Sequence, residues 1–342
     1  IRFGIWIEPE MCNERSELYE RHPDWVINAK GRPLVGGRGG NQLVLDLANP
    51  KVQDFVFGVV DGLLTRYPQI AYIKWDANMS IVSHGSQYLS ASDQSHLYIA
   101  YHEGLRKVLE RIRAKYPDVV MQSCASGGGR VGWGILPYFD EWWVSDDTDA
   151  LQRIYMQWGT SYFFPAIGMA SHVSASPNHQ TSRLIPLKYR FDVAMSGRLG
   201  MELQPSDMTD SERAFARKAI ADYKTIRPVV QLGNLYRLVS PYAGQHVASL
   251  MYVSDSRDKA VFYWWKLATF IDDHLPRIRM AGLDPQRMYR IHEINRIDDR
   301  PLFCEGQSYS GAYLMNHGID LPSDHSLPKA DRTSWASRIL YL

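Results

Sequence analysis

The sequence predicts an α/β protein, a TIM-type (β/α)8 barrel followed by a C-terminal antiparallel β-sandwich. Three observations carry this. Over residues 1–231 short apolar runs alternate with longer amphipathic segments, as in a parallel sheet with crossover helices. Each run is apolar through its body and polar at its C-terminal end, where barrel strands hold their chemistry. Past Pro228 β-like runs follow one another with turns between them, which reads as a sandwich over 232–342. No G-x-G-x-x-G follows an early strand, which weakens the rival doubly wound sheet.

The predicted barrel strands are FGIWIEPE (3–10), QLVLDL (42–47), IAYIKWD (70–76), VVMQSCA (119–125), EWWVSDD (141–147), FFPAIGM (163–169) and VAMSGRLGMEL (193–203). That makes seven where a closed barrel has eight, a shortfall that a start at the second strand would explain. Asn49-Pro50 opens a helix as N-cap and first-turn proline, with Val52, Phe55, Val56, Val59 and Leu63 at helical spacing. Ser92 opens the next, with Leu97, Tyr101, Leu105, Val108 and Ile112 on one face. Thr209 and Glu212 form a capping box before Ala214–Ile226. In the second domain LYRLVSPY, VASLMYVSD, KAVFYWWKL, RMYRIHEI, AYLMNHGIDL and SRILYL are β-like.

Composition narrows the function. The chain has 342 residues, 45% of them hydrophobic, and a net charge of +1. Nothing global draws it to nucleic acid or to an anionic membrane. Ten Trp and twenty Tyr suit the C–H faces of sugar rings. Cys12, Cys124 and Cys304 form neither a disulfide framework nor a zinc motif, and no cofactor or metal is expected. No apolar run reaches the ~18 residues of a membrane span. The first residue is Ile1 inside a predicted strand, so a lost leader leaves the compartment open, with the cytoplasm favoured.

The candidate chemistry lies at predicted strand ends. Asp76 ends one strand, and Lys74, two residues earlier, shares its side; an ammonium there would keep Asp76 ionised. A structural ion pair is the plainer alternative. EWWVSDDTDA supplies Asp146, Asp147 and Asp149, a crowding that favours protonation of one carboxylate; helix capping competes for Asp147 or Thr148, with Asp149 in the first turn. SCASGGGR is a glycine turn whose spacing is wrong for a phosphate loop. Glu8, Glu10, His172 and His179 lack metal-ligand spacing and read as hydrogen bonding at the barrel rim.

Together FGIWIEPEM, SELYERHPDW, NQLVLDL, YIKWDAN, CASGGGR, WVSDDTDA, SHVSASPNHQ and RLGMEL resemble, in order and spacing, glycoside hydrolase family 36, the bacterial α-galactosidases and their relatives. The resemblance runs from about residue 3 to 230, with a weaker echo in GLDPQRMYRI. It implies a retaining α-galactosidase with Asp76 as nucleophile and Asp146 as acid/base, acting on galactosyl oligosaccharides of the raffinose or melibiose type without a cofactor. Trp6 would wall the sugar pocket, Arg38, Lys74 and Asn78 would bind substrate, and Cys124 and Gly127 would line it near the sugar C2 substituent. Two glycines separate Arg38 from Asn41 where many relatives run straight from Arg to Asn, and Ala77 stands where methionine is common. The relatives' N-terminal β-sandwich and first barrel strand have no counterpart in the sequence. The same scaffold also serves α-N-acetylgalactosaminidases and galactosyl transferases, and a non-catalytic galactose-binding remnant is the rival from another class. Homo-oligomerisation is left open.

Overall fold

The computed structural model describes residues 1–37, 41–268, 277–297, 301–321 and 335–342. It divides into two compact units, Ile1–Trp143 and Val144–Leu342.

The first unit runs β1 (Phe3–Ile7), β2 (Met11–Asn13), α1 (Glu17–Arg21), β3 (Gln42–Val44), α2 (Pro50–Arg66), β4 (Ile70–Trp75), α3 (Leu97–Lys115), β5 (Val120–Ser123) and β6 (Glu141–Trp143). Strands β1, β4, β5 and β6 pair in that order, all parallel, with Trp6 opposite Lys74, Lys74 opposite Gln122 and Gln122 opposite Glu141. In-line registers of this kind bring the C-terminal ends of successive strands together. The predicted strand at 42–47 differs. Only Gln42–Val44 is extended, and it pairs antiparallel with β2 outside the parallel sheet. Asp46 turns the chain there by accepting from the Ala48 N–H, and Asn49 then caps α2.

Helix α2 buries Val52, Val56, Val60 and Leu64, and α3 buries Leu97, Tyr101, Leu105, Val108 and Ile112. Both pack on Ile73, Trp75 and Met121, each side chain contributing roughly 1.5–3 kcal/mol of burial. Ser92 does not cap α3: a 3-10 turn over Ala91–His96 precedes it. Gly104 lets α3 approach closely, since a Cβ there would sit 1.9 Å from the Leu47 carbonyl oxygen.

The second unit opens with α4 (Ala150–Thr160), β7 (Met169–Ser174), α5 (Leu187–Ala194), β8 (Arg198–Glu202) and α6 (Asp210–Leu232), with β7 and β8 parallel. The predicted strand at 163–169 is corrected: Phe163 and Phe164 donate back to Thr160 at the end of α4, Pro165 offers no N–H to a ladder, and β7 begins only at Met169. Across both units the described parallel strands therefore number six, not seven. The Thr209–Glu212 capping box is present.

The sandwich comprises β9 (Asn234–Val239), β10 (Val247–Val253), β11 (Ala260–Lys266), β12 (Met288–Arg290), β13 (His292–Ile294), β14 (Ser308–Ser310), α7 (Gly311–Asn316) and β15 (Ser337–Tyr341). One sheet has the order β13-β15-β11-β10-β9, and β12 pairs β14. AYLMNHGIDL is not a strand: Ser310 accepts from the Tyr313 N–H and caps α7. Strands β10 and β11 are buried throughout because each face meets a different core. Ala248, Leu250, Tyr252, Val261, Tyr263 and Trp265 pack with α5 and α6, while Val247, Met251, Val253, Phe262 and Trp264 pack into the rest of the sandwich. This alternation is the strand period of two written across two cores.

Candidate active site

Asp76 follows β4 directly and is 6% exposed. Its Oδ2 accepts from the Trp6 indole Nε1 at 3.0 Å and its Oδ1 from the Ala77 N–H at 2.9 Å. Burial pushes its pKa up, but hydrogen bonds from Asn78, Trp6, the Cys124 thiol and Ala77 outweigh this and hold it below the ordinary carboxylate value. These donors, rather than Lys74, keep Asp76 an anion. Lys74 lies over the Trp143 ring, its Nζ 4.9 Å from the centroid; sharing a strand face still leaves a long side chain free to reach past β5 to β6. Burial pushes the Cys124 thiol up to about 12, so at neutral pH it keeps the proton it shares with Asp76.

Around Asp76 two glutamates past the end of β1 tie the strand ends together. Glu10, fully buried, accepts from the Trp75 indole at 2.6 Å, from the Tyr101 hydroxyl, and from Arg130 at 2.8 Å on both oxygens. Glu8 accepts from the Asn78 N–H and side-chain amide, 2.8 Å each, and from Gln42 at 2.7 Å. Gly127, at φ +86°, lies in the glycine turn, and its carbonyl accepts from the Ala125 N–H at 2.8 Å. Trp6, Asp76, Asn78, Cys124 and Gly127 thus share one neighbourhood, with Lys74 two residues before Asp76 on β4. Arg38 lies outside the described residues. The parts that sequence reasoning missed are Tyr101, Arg130 and Ser126; the Glu8–Glu10 spacing at a strand end was the available signal.

In the second unit, Asp146 is half-buried and itself engaged with a partner. Its flanks are fastened firmly. Arg153 donates to the Ser145 carbonyl at 3.1 Å and the Ala170 carbonyl at 2.7 Å. Thr148 is held by Gln180 and Asn178, 3.1 Å each, and by Ser174 at 2.9 Å. Asp149, not Asp147 or Thr148, caps α4, and it also takes Thr181 and Arg183. Burial pushes Arg153 down to about 10, which leaves it charged at neutral pH. His172 faces Glu202 at 3.8 Å.

Elsewhere in the first unit a cavity of about 560 Å³ is lined by Tyr98, Ile99, His102, Ile135 and Tyr138 among others. Arg130 also lines it, but none of the candidate site residues singled out from the sequence does, so the site is placed by the carboxylate and its donors. Among the described residues no group of three or more His, Cys, Asp or Glu could hold a metal ion, and no helix is long and apolar enough to cross a membrane.

The Melibiase family model matches residues 1–233, and the Glycosyl hydrolase family 36 C-terminal domain matches residues 247–342. The chain belongs to glycoside hydrolase family 36. Among its relatives, the probable α-galactosidase C of Aspergillus terreus is 41% identical over 95% of this chain and 40% of its own length. The α-galactosidase AgaA of Geobacillus stearothermophilus is 38% identical over 94% and 42%. The chain therefore spans about two fifths of the length of these curated relatives. The crystal structure of AgaB from Geobacillus stearothermophilus superposes with a TM-score of 0.89 at 37% identity, over 99% of this chain and 44% of that one. The α-galactosidase of Lactobacillus brevis gives 0.91 at 36%, over 100% and 44%. The fold of this family 36 chain is accordingly the TIM-type barrel with a C-terminal β-sandwich.

Proposed function

We propose that this chain carries the catalytic part of a retaining α-galactosidase, with residues 1–231 as barrel and 232–342 as sandwich. The single observation that carries the reading is Asp76, held as an anion by Trp6, Ala77, Asn78 and Cys124 at the end of a barrel strand. A glycosidase nucleophile needs that state, because only the carboxylate attacks. Asp76 would bond to the anomeric carbon as the glycosidic C–O bond breaks. Asp146 would give its proton to the leaving oxygen. Water would then lose a proton to Asp146 and attack the same carbon, releasing Asp76; two inversions make net retention.

Galactosyl oligosaccharides are the proposed substrates. AgaA variants of Geobacillus stearothermophilus are known in complex with raffinose and with stachyose. Those two variants each carry a replaced aspartate, and the replaced positions lie as far apart in that chain as Asp76 and Asp146 do here, which supports the two roles. Trp6, Lys74, Asn78, Cys124 and Gly127 are proposed to line the sugar subsite, with Arg38 as a further substrate-binding residue.

The test is hydrolysis of an aryl α-galactoside by the chain and by Asp76→Ala, with and without azide. Loss of turnover in Asp76→Ala and its rescue as β-galactosyl azide support the reading. Undiminished turnover by Asp76→Ala sinks it.

A further inference from the structure

We propose that His172 and Glu202 recognise the leaving group, and that they select a sugar aglycone by its hydroxyls. The inference rests on the galactosidase reading and deepens it. Successive residues of a strand face opposite sides of the sheet. On β7, Ser171 donates to Gln157 of α4 at 2.6 Å, and Val173 packs in one core with Ile154 and Trp158 of the same helix. Ala170, His172 and Ser174 therefore face away from the helices, on the inner side of the sheet. The parallel register sets His172 opposite Gly200 and Ser174 opposite Glu202, which puts Gly200 and Glu202 of β8 on that same inner side.

Close approaches fix the pair there. A Cβ at position 200 would come within 2.4 Å of the His172 ring, so glycine is what lets the imidazole lie against β8. His172 Nδ1 is 3.8 Å from a carboxylate oxygen of Glu202. Further along the same face of β7, Ser174 donates to the Thr148 carbonyl at 2.9 Å, two residues past Asp146. The face that carries His172 and Glu202 is thus fastened to the loop that carries Asp146. The His172 side chain is 24% exposed and that of Glu202 49%, toward the C-terminal ends of parallel strands, where barrels of this type keep their ligand contacts. An acid/base delivers its proton to the leaving oxygen, and the nucleophile attacks from the opposite side of the anomeric carbon. Groups beside the Asp146 loop therefore meet the leaving group. An imidazole and a carboxylate offer donors and acceptors to hydroxyls. A sugar aglycone supplies hydroxyls, and a methyl aglycone supplies none.

The test compares melibiose, whose leaving group is glucose, with methyl α-galactoside, in the full chain and in His172→Ala and Glu202→Gln. Both leaving groups are primary alkoxides that need a proton, so a change acting through Asp146 would slow the two alike. Each variant is expected to lose about tenfold in kcat/KM on melibiose and less than about twofold on methyl α-galactoside. Binding gives the same comparison without turnover: in Asp76→Ala, which forms no glycosyl-enzyme, adding either change should weaken melibiose and leave methyl α-galactoside within about twofold. If His172→Ala does not fold, Glu202→Gln carries the test on a half-exposed side chain. Equal losses on the two sugars, or no loss on either, overturn the proposal. The galactosidase reading fails separately, as turnover that survives in Asp76→Ala.

Discussion

Asp76 and Asp146 each follow a parallel strand, but their surroundings are fastened at different points. The donors around Asp76 act on its own carboxylate: Trp6 on one oxygen and Ala77 on the other, with Asn78 and Cys124 adding to them. In the Asp146 loop bonds on Ser145, Thr148 and Asp149 hold the flanks, and Asp146 has a partner of its own. A donor-ringed carboxylate and a loop with fastened flanks are consistent with the two proposed roles. A group that must remain an anion gains from donors on its oxygens. A group that must give and regain a proton in one cycle gains from a fixed backbone.

The sharpest way to break this comparison is to remove each carboxylate in turn. Asp76→Ala should lose at least about a thousandfold in kcat, with azide giving the β-galactosyl azide. Asp146→Ala should lose less on substrates with good leaving groups, with azide giving the α-azide, since the covalent intermediate still forms. The same azide anomer from both variants would mean that the roles are not divided as proposed. Next in size is Arg153→Met. Its loss leaves the Ser145 and Ala170 carbonyls without their donor, which should cost about 3 kcal/mol in denaturant melts; a change under 1 kcal/mol would show that the loop does not depend on it.

Trp6→Phe keeps an aromatic wall and removes one donor, for about a tenfold loss in kcat/KM. It also has a pH signature. Because the folded pKa of Asp76 is lowered, its ionised form contributes stability above the unfolded carboxylate pKa, and that contribution is lost as pH falls through the folded value. Trp6→Phe raises the folded pKa, so the acid limb of kcat/KM should move to higher pH; an unmoved limb would count against Trp6 as a donor. The smallest effect is expected from Asp149→Asn. Asparagine still caps α4 through Oδ1, while the bonds that the other oxygen accepts from Thr181 and the partly exposed Arg183 go, for about 1 kcal/mol in thermal melts.

The barrel texture and the strand-end aspartates were legible in the sequence because they follow from local rules. A strand such as IAYIKWD is apolar through its body and polar at its end, and Thr209 with Glu212 announces its helix within one turn. Elements whose form depends on distant partners were harder. FFPAIGM looks like a strand by composition, yet Phe163 is 68% exposed and the run closes a helix. QLVLDL is apolar enough for the parallel sheet, but its partner is β2. The position of Lys74 could not be read either, since its neighbour Trp143 is contributed by β6, far along the chain. Glu8 was visible as a rim residue, but the oxygen shared by two donors of Asn78 is a fact of three-dimensional geometry.

The two-faced sheet of the sandwich has a consequence for how the second unit comes apart. Tyr252, Tyr263 and Tyr189 bond across to Ser196, Met195 and Lys266 at 2.9, 2.7 and 2.9 Å, and Ser337 and Asn295 reach the buried Asp192. The point where one family model ends and the next begins is therefore a border in sequence but no seam in folding. The described residues of 144–342 should lose hydrogen-exchange protection as one cooperative block. A protease that cuts near residue 233 would nick a surface connection without setting a free-standing module loose.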